Sequence, residues 1–385
     1  MTVPLRPLPA LLGAALLAGW TGAAALAGQA ASAASFEDVV RQADEARLSG
    51  RLEEAEALYR EALTRRPGWA EGWWYLGTMA YERDRPLECV QAFRRLLALR
   101  PQTAAAWALR GLCAFQLEEY AAARRHLERA LAAGPLEDEA MGRVAAYHQA
   151  LLMIRGGDFE GALRPLTQLL QTQLPTPELA DACGLALLRR AEVPAEIPPA
   201  ERERVRAAGE AYCAHLARHG DEAQRRFEQL LARYPRERYL HYGYGLSLAQ
   251  AGKAESLAQF EREIELFPDD VLARIELALG LVARGRATEA LAPAEKAKAL
   301  APRLFATRFA LGRALVEAGA LERGILELEA AVALAPDIPE MILALARAYA
   351  RAGRRADAER ASAAFQALER ARRSPSGGSA PASPP

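Results

Sequence analysis

Prolines recur in this chain at a nearly fixed interval, and that interval constrains the fold more than any other feature. Pro67, Pro101 and Pro135 are spaced by 34 and 34 residues, and so are Pro268, Pro302 and Pro336, while Pro235 precedes Pro268 by 33. Proline ends a helix because it lacks the N–H and its ring clashes with the preceding turn. A fixed period of this length marks a chain built from repeated supersecondary units. Between the prolines lie two apolar stripes at helical spacing. In the unit that opens at Ala70, Trp73, Leu76, Gly77 and Ala80 form the first stripe. A polar stretch from Glu82 to Pro86 interrupts it, and Cys89, Phe93 and Leu96 form the second.

Other units repeat the pattern: Gly50, Ala55, Tyr59, Ala62 and Pro67; Trp107, Gly111, Ala123, Leu127, Ala130 and Pro135; Leu277, Gly285, Ala290, Ala297 and Pro302; Leu311, Gly312, Gly319, Leu328, Ala331 and Pro336; Leu345, Tyr349, Gly353, Ala358 and Phe365. Small residues on the first helix (Gly77, Gly111, Gly312) let the second approach, and Ala55, Ala123 and Ala290 are the matching dents. A helix pair cannot bury its stripe alone, so neighbouring pairs stack. The Trp, Leu, Gly, Tyr, Ala, Phe, Ala and Pro pattern resembles the tetratricopeptide-repeat (TPR) family over roughly residues 36 to 370, weakly so over 137 to 237. The resemblance implies an all-α fold, a right-handed α-solenoid of TPR helix-turn-helix repeats.

The expected organisation has five parts. Residues 1–33 read as a signal peptide, residues 36–174 as an N-terminal array of about four repeats, and residues 238–370 as a C-terminal array of about four more. Between the arrays, residues 175–237 read as an irregular helical segment with a Pro-rich insertion at Val193 to Ala200. Helices are expected at 178–191, 201–218 and 221–234, with their pairing left open. Residues 371–385 read as a tail, made of Ser, Gly, Ala and Pro from Ser374 to Pro385 without apolar periodicity, which should be disordered.

The N-terminal reading rests on Arg6 as the lone charge before Glu37, an apolar or small run from Ala10 to Gly28, and the small-x-small triplet Ala31-Ser32-Ala33. It implies a periplasmic or secreted protein of a bacterial envelope. Left uncleaved, the same run would give a weak membrane association. Cys89, Cys113, Cys183 and Cys213 lie far apart inside helical patterns and read as packed thiols, although an oxidising compartment would permit disulfides.

Basic and acidic residues balance at 49 each, which argues against a nucleic-acid partner. Runs such as Arg94-Arg95, Arg124-Arg125 and Arg225-Arg226 lie among Glu residues and read as solvated helix faces laced with opposite charge. No P-loop, dinucleotide fingerprint, G-x-S-x-G elbow or H-E-x-x-H occurs. His215 and His219 are four apart, but two ligands fall short of a metal site, and Cys213 points elsewhere on the helix. The expectation is therefore no catalysis, no cofactor and no metal.

What the resemblance implies about binding is specific. The first helix of each TPR unit lines the inner face, which assigns Trp74 and Tyr81, then Leu112 and Phe115, then Tyr147 and Leu151. In the second array it assigns Tyr239 and Tyr242, Ile275 and Leu279, and Phe309. Such an apolar surface is expected to hold a protein or peptide partner. The Lys and Asn clamp that other TPRs use for a C-terminal carboxylate is replaced by Val40, Asp44 and Tyr75. The expected function is a non-catalytic interaction scaffold or adaptor of the cell envelope. The alternative is an accessory or regulatory subunit of an envelope enzyme or polymer-export complex.

Overall fold

The computed structural model describes residues 35–373, which form nineteen α-helices and no strand. The expected signal peptide and the tail from Ser374 lie outside the described residues. The described residues divide into two compact units at Gly156–Gly157, inside the N-terminal array expected over residues 36–174.

The first unit holds seven helices: α1 (Phe36–Leu48), α2 (Leu52–Arg65), α3 (Ala70–Glu82), α4 (Pro86–Leu99), α5 (Ala104–Gln116), α6 (Tyr120–Ala133) and α7 (Glu139–Arg155). Ser35 caps α1 in a capping box with Asp38. Helices that follow one another in sequence pack together, and α5 is enclosed by α3, α4, α6 and α7. The small residues do what their spacing predicts. A Cβ on Gly77 would lie 2.8 Å from the ring of Phe93, and one on Gly111 would lie 2.9 Å from Leu127. Both facing side chains are buried. Left-handed backbone closes each pair, at Gly50 (φ 74°) and, without glycine, at Asp84 (φ 53°) and Glu118 (φ 60°).

A second device recurs with the proline. The side chain six residues after it donates to the proline carbonyl: Trp73 Nε1 to Pro67 (3.0 Å) and Trp107 Nε1 to Pro101 (2.8 Å). In the second unit arginine does the same, Arg274 to Pro268 (2.8 Å) and Arg308 to Pro302 (3.2 Å). A tryptophan N–H and a guanidinium N–H are interchangeable here because the position asks only for a long side chain ending in a donor.

Twelve helices form the second unit. They are α8 (Phe159–Thr172), α9 (Pro177–Leu187), α10 (Pro199–Leu216), α11 (Gly220–Arg233), α12 (Leu240–Gln250), α13 (Ser256–Leu266), α14 (Val271–Ala283), α15 (Ala287–Leu300), α16 (Phe305–Glu317), α17 (Leu321–Leu334), α18 (Pro339–Arg351) and α19 (Arg355–Arg373). The last runs through residues 371–373, which the sequence assigns to the tail.

The irregular segment resolves into a repeat without its second helix. After α9 the chain turns left-handed at Arg189 (φ 52°), as at the other pair turns. It then enters a short 3₁₀ turn, Pro194–Glu196, where Pro194, Pro198 and Pro199 exclude a regular helix. Val193 and Ile197 take over the burial, each 2% exposed. The following helix, α10, packs directly along α9. Their backbones nearly touch: a Cβ on Gly184 would lie 2.0 Å from the Val205 carbonyl oxygen, and one on Gly209 would lie 1.7 Å from that of Ala180. A bidentate pair, Arg206 to Asp181 at 2.8 and 2.7 Å, flanks the crossing. The regular alternation resumes with α11, after a turn at left-handed Arg218.

Cys89 and Cys113 form a disulfide between α4 and α5, which corrects the packed-thiol reading for this pair. The stacking of α5 on α4 supplies the reason, since it places two residues 24 apart side by side. Cys183 and Cys213 remain thiols, both buried.

Candidate functional site

The inner-face assignments divide by depth. Leu112, Leu151 and Ile275 are only 1%, 3% and 4% exposed, so their side chains belong to the core and offer nothing to a ligand. The reason is helical phase. A first helix is covered on both flanks by its neighbours, as α14 is by α12, α13, α15 and α16, and a residue turned by one helical step leaves the open strip.

The aromatic assignments of the first unit are partly buried and engaged with their neighbours. Trp74 meets Phe93 edge-on at 5.7 Å. Phe115 meets Tyr120 at 5.3 Å and His148 at 4.8 Å, and Tyr147 meets His148 at 5.4 Å. Burial pushes the Tyr81 hydroxyl above its usual pKa. His148 is buried, and its Nδ1 lies 2.8 Å from the Val144 carbonyl, so that nitrogen carries the proton. Burial lowers its pKa. Phe115 against His148 joins α5 to α7, whereas the other contacts lie within a helix pair or a single helix.

In the second unit Phe309 is partly buried with the Arg313 guanidinium 5.8 Å from its ring, and Leu279 rests against the core below. Tyr239 and Tyr242 meet edge-on at 6.4 Å. The first turn of α12 is held from beneath by Glu263 of α13, which accepts the backbone N–H of Tyr239 (2.6 Å) and Tyr242 (3.1 Å). That grip holds Tyr239 in a left-handed conformation (φ 70°).

Around the Tyr242 hydroxyl converge groups that the sequence reading did not select. Burial, then the charge of Glu276 on α14, then Tyr212 on α10 and Glu160 on α8, push the hydroxyl well above its usual pKa, and Arg189 opposes them. Tyr212 is buried, and burial likewise raises it. Its ring stacks on His215 at 5.4 Å, and burial lowers His215 to about 4. Arg189 donates to Glu160 at 2.5 Å and sits 4.7 Å over the Phe159 ring and 6.0 Å from that of Tyr239. Glu276 is partly buried, and burial raises its pKa. Among the described residues it has neither an ion pair nor a hydrogen bond from a side chain. The arrangement is a partly buried carboxyl whose charge reaches Tyr212 and Tyr242, suited to a hydrogen-bond donor or a cation. The available signal was Glu276 itself, an acid one step from Ile275 on a helix whose other charged residue is Arg274.

The histidine pair separates: His215 lies against Tyr212, while His219 is exposed, 3.9 Å from Glu222. Among the described residues no three His, Cys, Asp or Glu side chains group as metal ligands, and no helix is long and apolar enough to cross a membrane.

Comparison with known proteins adds three findings. The Tetratricopeptide repeat family model matches residues 40–88, 89–138 and 217–256. The Homo sapiens Protein O-mannosyl-transferase TMTC3 is 28% identical over 116 residues, which are 30% of this chain and 12% of that protein. The chain thus spans about an eighth of the length of this curated relative. Solved structures of MamA are similar in part. A MamA RS-1 ArsTM double mutant is 21% identical with a TM-score of 0.40, covering 44% of this chain and 97% of that one. Residues 41 to the end of MamA from Desulfovibrio magneticus RS-1 are 23% identical with a TM-score of 0.35, covering 41% and 88%. The helix pairs of about 34 residues, their small-residue contacts and the family match at three places agree that the chain carries tetratricopeptide repeats.

Proposed function

We propose that this protein is a non-catalytic scaffold that holds a protein or peptide segment on the inner face of its second unit. The observation that supports this most is Glu276, a partly buried carboxyl whose charge reaches Tyr212 and Tyr242 and which has no side-chain partner among the described residues. Leaving a partly buried carboxylate unpaired costs stability, so its neighbourhood favours an incoming donor. An apolar segment presenting a Lys or Arg side chain fits, with the tyrosine rings adding attraction for the cation. The scaffold is proposed to work in a bacterial envelope, periplasmic or secreted, after removal of residues 1–33.

Two measurements test this. A peptide array probed with the full chain should retain apolar peptides that carry Lys or Arg. Glu276→Gln and Tyr242→Phe should each lose that retention, by roughly tenfold or more, with unchanged circular dichroism. Equal retention by both variants rejects the site. Intact-mass analysis of protein from an envelope fraction tests location, and a chain still beginning at Met1 in the cytosol rejects it.

A further inference from the structure

The two remaining cysteines do not lie apart. Cys183 of α9 and Cys213 of α10 place their sulfurs 2.8 Å apart, 30 residues apart in sequence. That is closer than two unbonded sulfurs rest and a short movement from the ~2.05 Å of a disulfide. Both thiols are wholly buried, and the other polar neighbour of Cys213 is the Leu179 carbonyl at 3.9 Å. Gly184, next to Cys183, and Gly209, one turn before Cys213, are the residues whose missing side chains bring α9 and α10 together. The glycine crossing therefore dictates the meeting of the sulfurs. The remaining pair of the four cysteines, Cys89 and Cys113, is already bonded.

We propose that Cys183 and Cys213 form a second intramolecular disulfide that clamps α9 to α10. The oxidant is a disulfide, either a small-molecule disulfide or a thiol–disulfide oxidoreductase. One cysteine thiolate attacks it, forming a mixed disulfide and releasing one thiol. The second cysteine thiolate attacks the cysteine sulfur of that mixed disulfide, closing the Cys183–Cys213 bond and releasing the second thiol. Two protein thiols are oxidised and one oxidant disulfide is reduced to two thiols. Because neither sulfur reaches solvent in the folded chain, exchange takes place before α10 closes on α9. The finished bond is then shielded from reductants.

The test refolds the reduced full chain with oxidised and reduced glutathione, under conditions where peptide mapping finds Cys89–Cys113 bonded. The protein is then denatured in guanidinium and alkylated without reductant. The inference expects none of the four cysteines to be labelled, and a linked peptide pair containing Cys183 and Cys213. Cys183→Ser should leave Cys213 as a single labelled thiol. Labelling of both Cys183 and Cys213 in the unmutated chain overturns the proposal, as does a bridge from either of them to Cys89 or Cys113.

Discussion

At Gly209 the fold depends on the absence of a single methyl group. Overpacking a core commonly costs about 1–3 kcal/mol, and here the obstacle is the Ala180 carbonyl oxygen on the neighbouring backbone, which cannot swing aside. Gly209→Ala should therefore cost about 3 kcal/mol or more in urea unfolding. Gly142→Ala is the control. Nothing lies within 4 Å of its added Cβ in α7, so it should gain about 0.5–1 kcal/mol from helix propensity. Equal effects at the two positions would contradict the close crossing.

Glu263 gives a second prediction at the residue scale. Burial, opposed by the two backbone N–H groups it accepts, pushes it up to about 7. An unfolded glutamate titrates near ~4.3. The folded chain therefore holds a proton that the unfolded chain has released, and stability falls as pH rises from ~4.3 towards about 7. The change is on the order of 3 kcal/mol across that window. His215 and His126, each lowered to about 4 with burial the largest cause, act in the opposite sense and lose stability as pH falls below ~6.5. The comparison of wild type with Glu263→Gln isolates the glutamate. Their stability difference should change across that window and stay level above about pH 8, whereas parallel curves would refute the assignment.

Among the elements, charge ties helices together. Arg66 to Glu37 and Arg100 to Glu71 each join the end of a hairpin's second helix to its first, 29 residues earlier, and Lys298 to Glu327 joins one hairpin to the next. The two exposed pairs, Arg66 to Glu37 and Arg100 to Glu71, contribute roughly 0–1 kcal/mol each. Glu56 on α2 differs because it is buried. Arg85, entering α4, reaches it with both terminal nitrogens (3.0 and 2.6 Å), and Arg60 adds a third bond. The Arg85 bond, with Arg60, holds its carboxyl below the usual range. This support is present above the unfolded value near ~4.3 and is lost as pH falls through the lowered folded value. Glu56→Gln should cost the first unit about 1–3 kcal/mol at pH 7 and far less at pH 3, measured by chemical denaturation. A pH-independent cost would mean that shape, not charge, matters there. The sequence announced such pairs only as mixed charge on helix faces, since which Arg meets which Glu depends on how adjacent hairpins stack.

For the whole molecule, each unit has its own buried clusters, one built around Phe93, Trp107 and Leu127 and another around Phe260, Leu281 and Leu311. In repeat architectures stability is close to a sum over neighbouring contacts. Hydrogen exchange of Gly209→Ala should therefore show lost protection around α9 and α10 while the amides of α3 to α6 keep theirs. Uniform loss through both units would refute this locality.

The sequence by itself determined the helix pairs, because proline position, small-residue spacing and apolar period are properties of local chain geometry and require no knowledge of distant residues. Through its family resemblance it also pointed to the first helices as candidates for a partner-facing layer. Only the tertiary structure decided which residues of that layer stay open. A helical step of 100° separates the buried Ile275 from the partly buried Glu276, and neighbours on both flanks settle which is which. Tertiary structure likewise decided the cysteine partners and the union of α9 with α10. Those outcomes depend on backbone approach between helices some 25–30 residues apart in sequence, a distance across which no local spacing rule reaches.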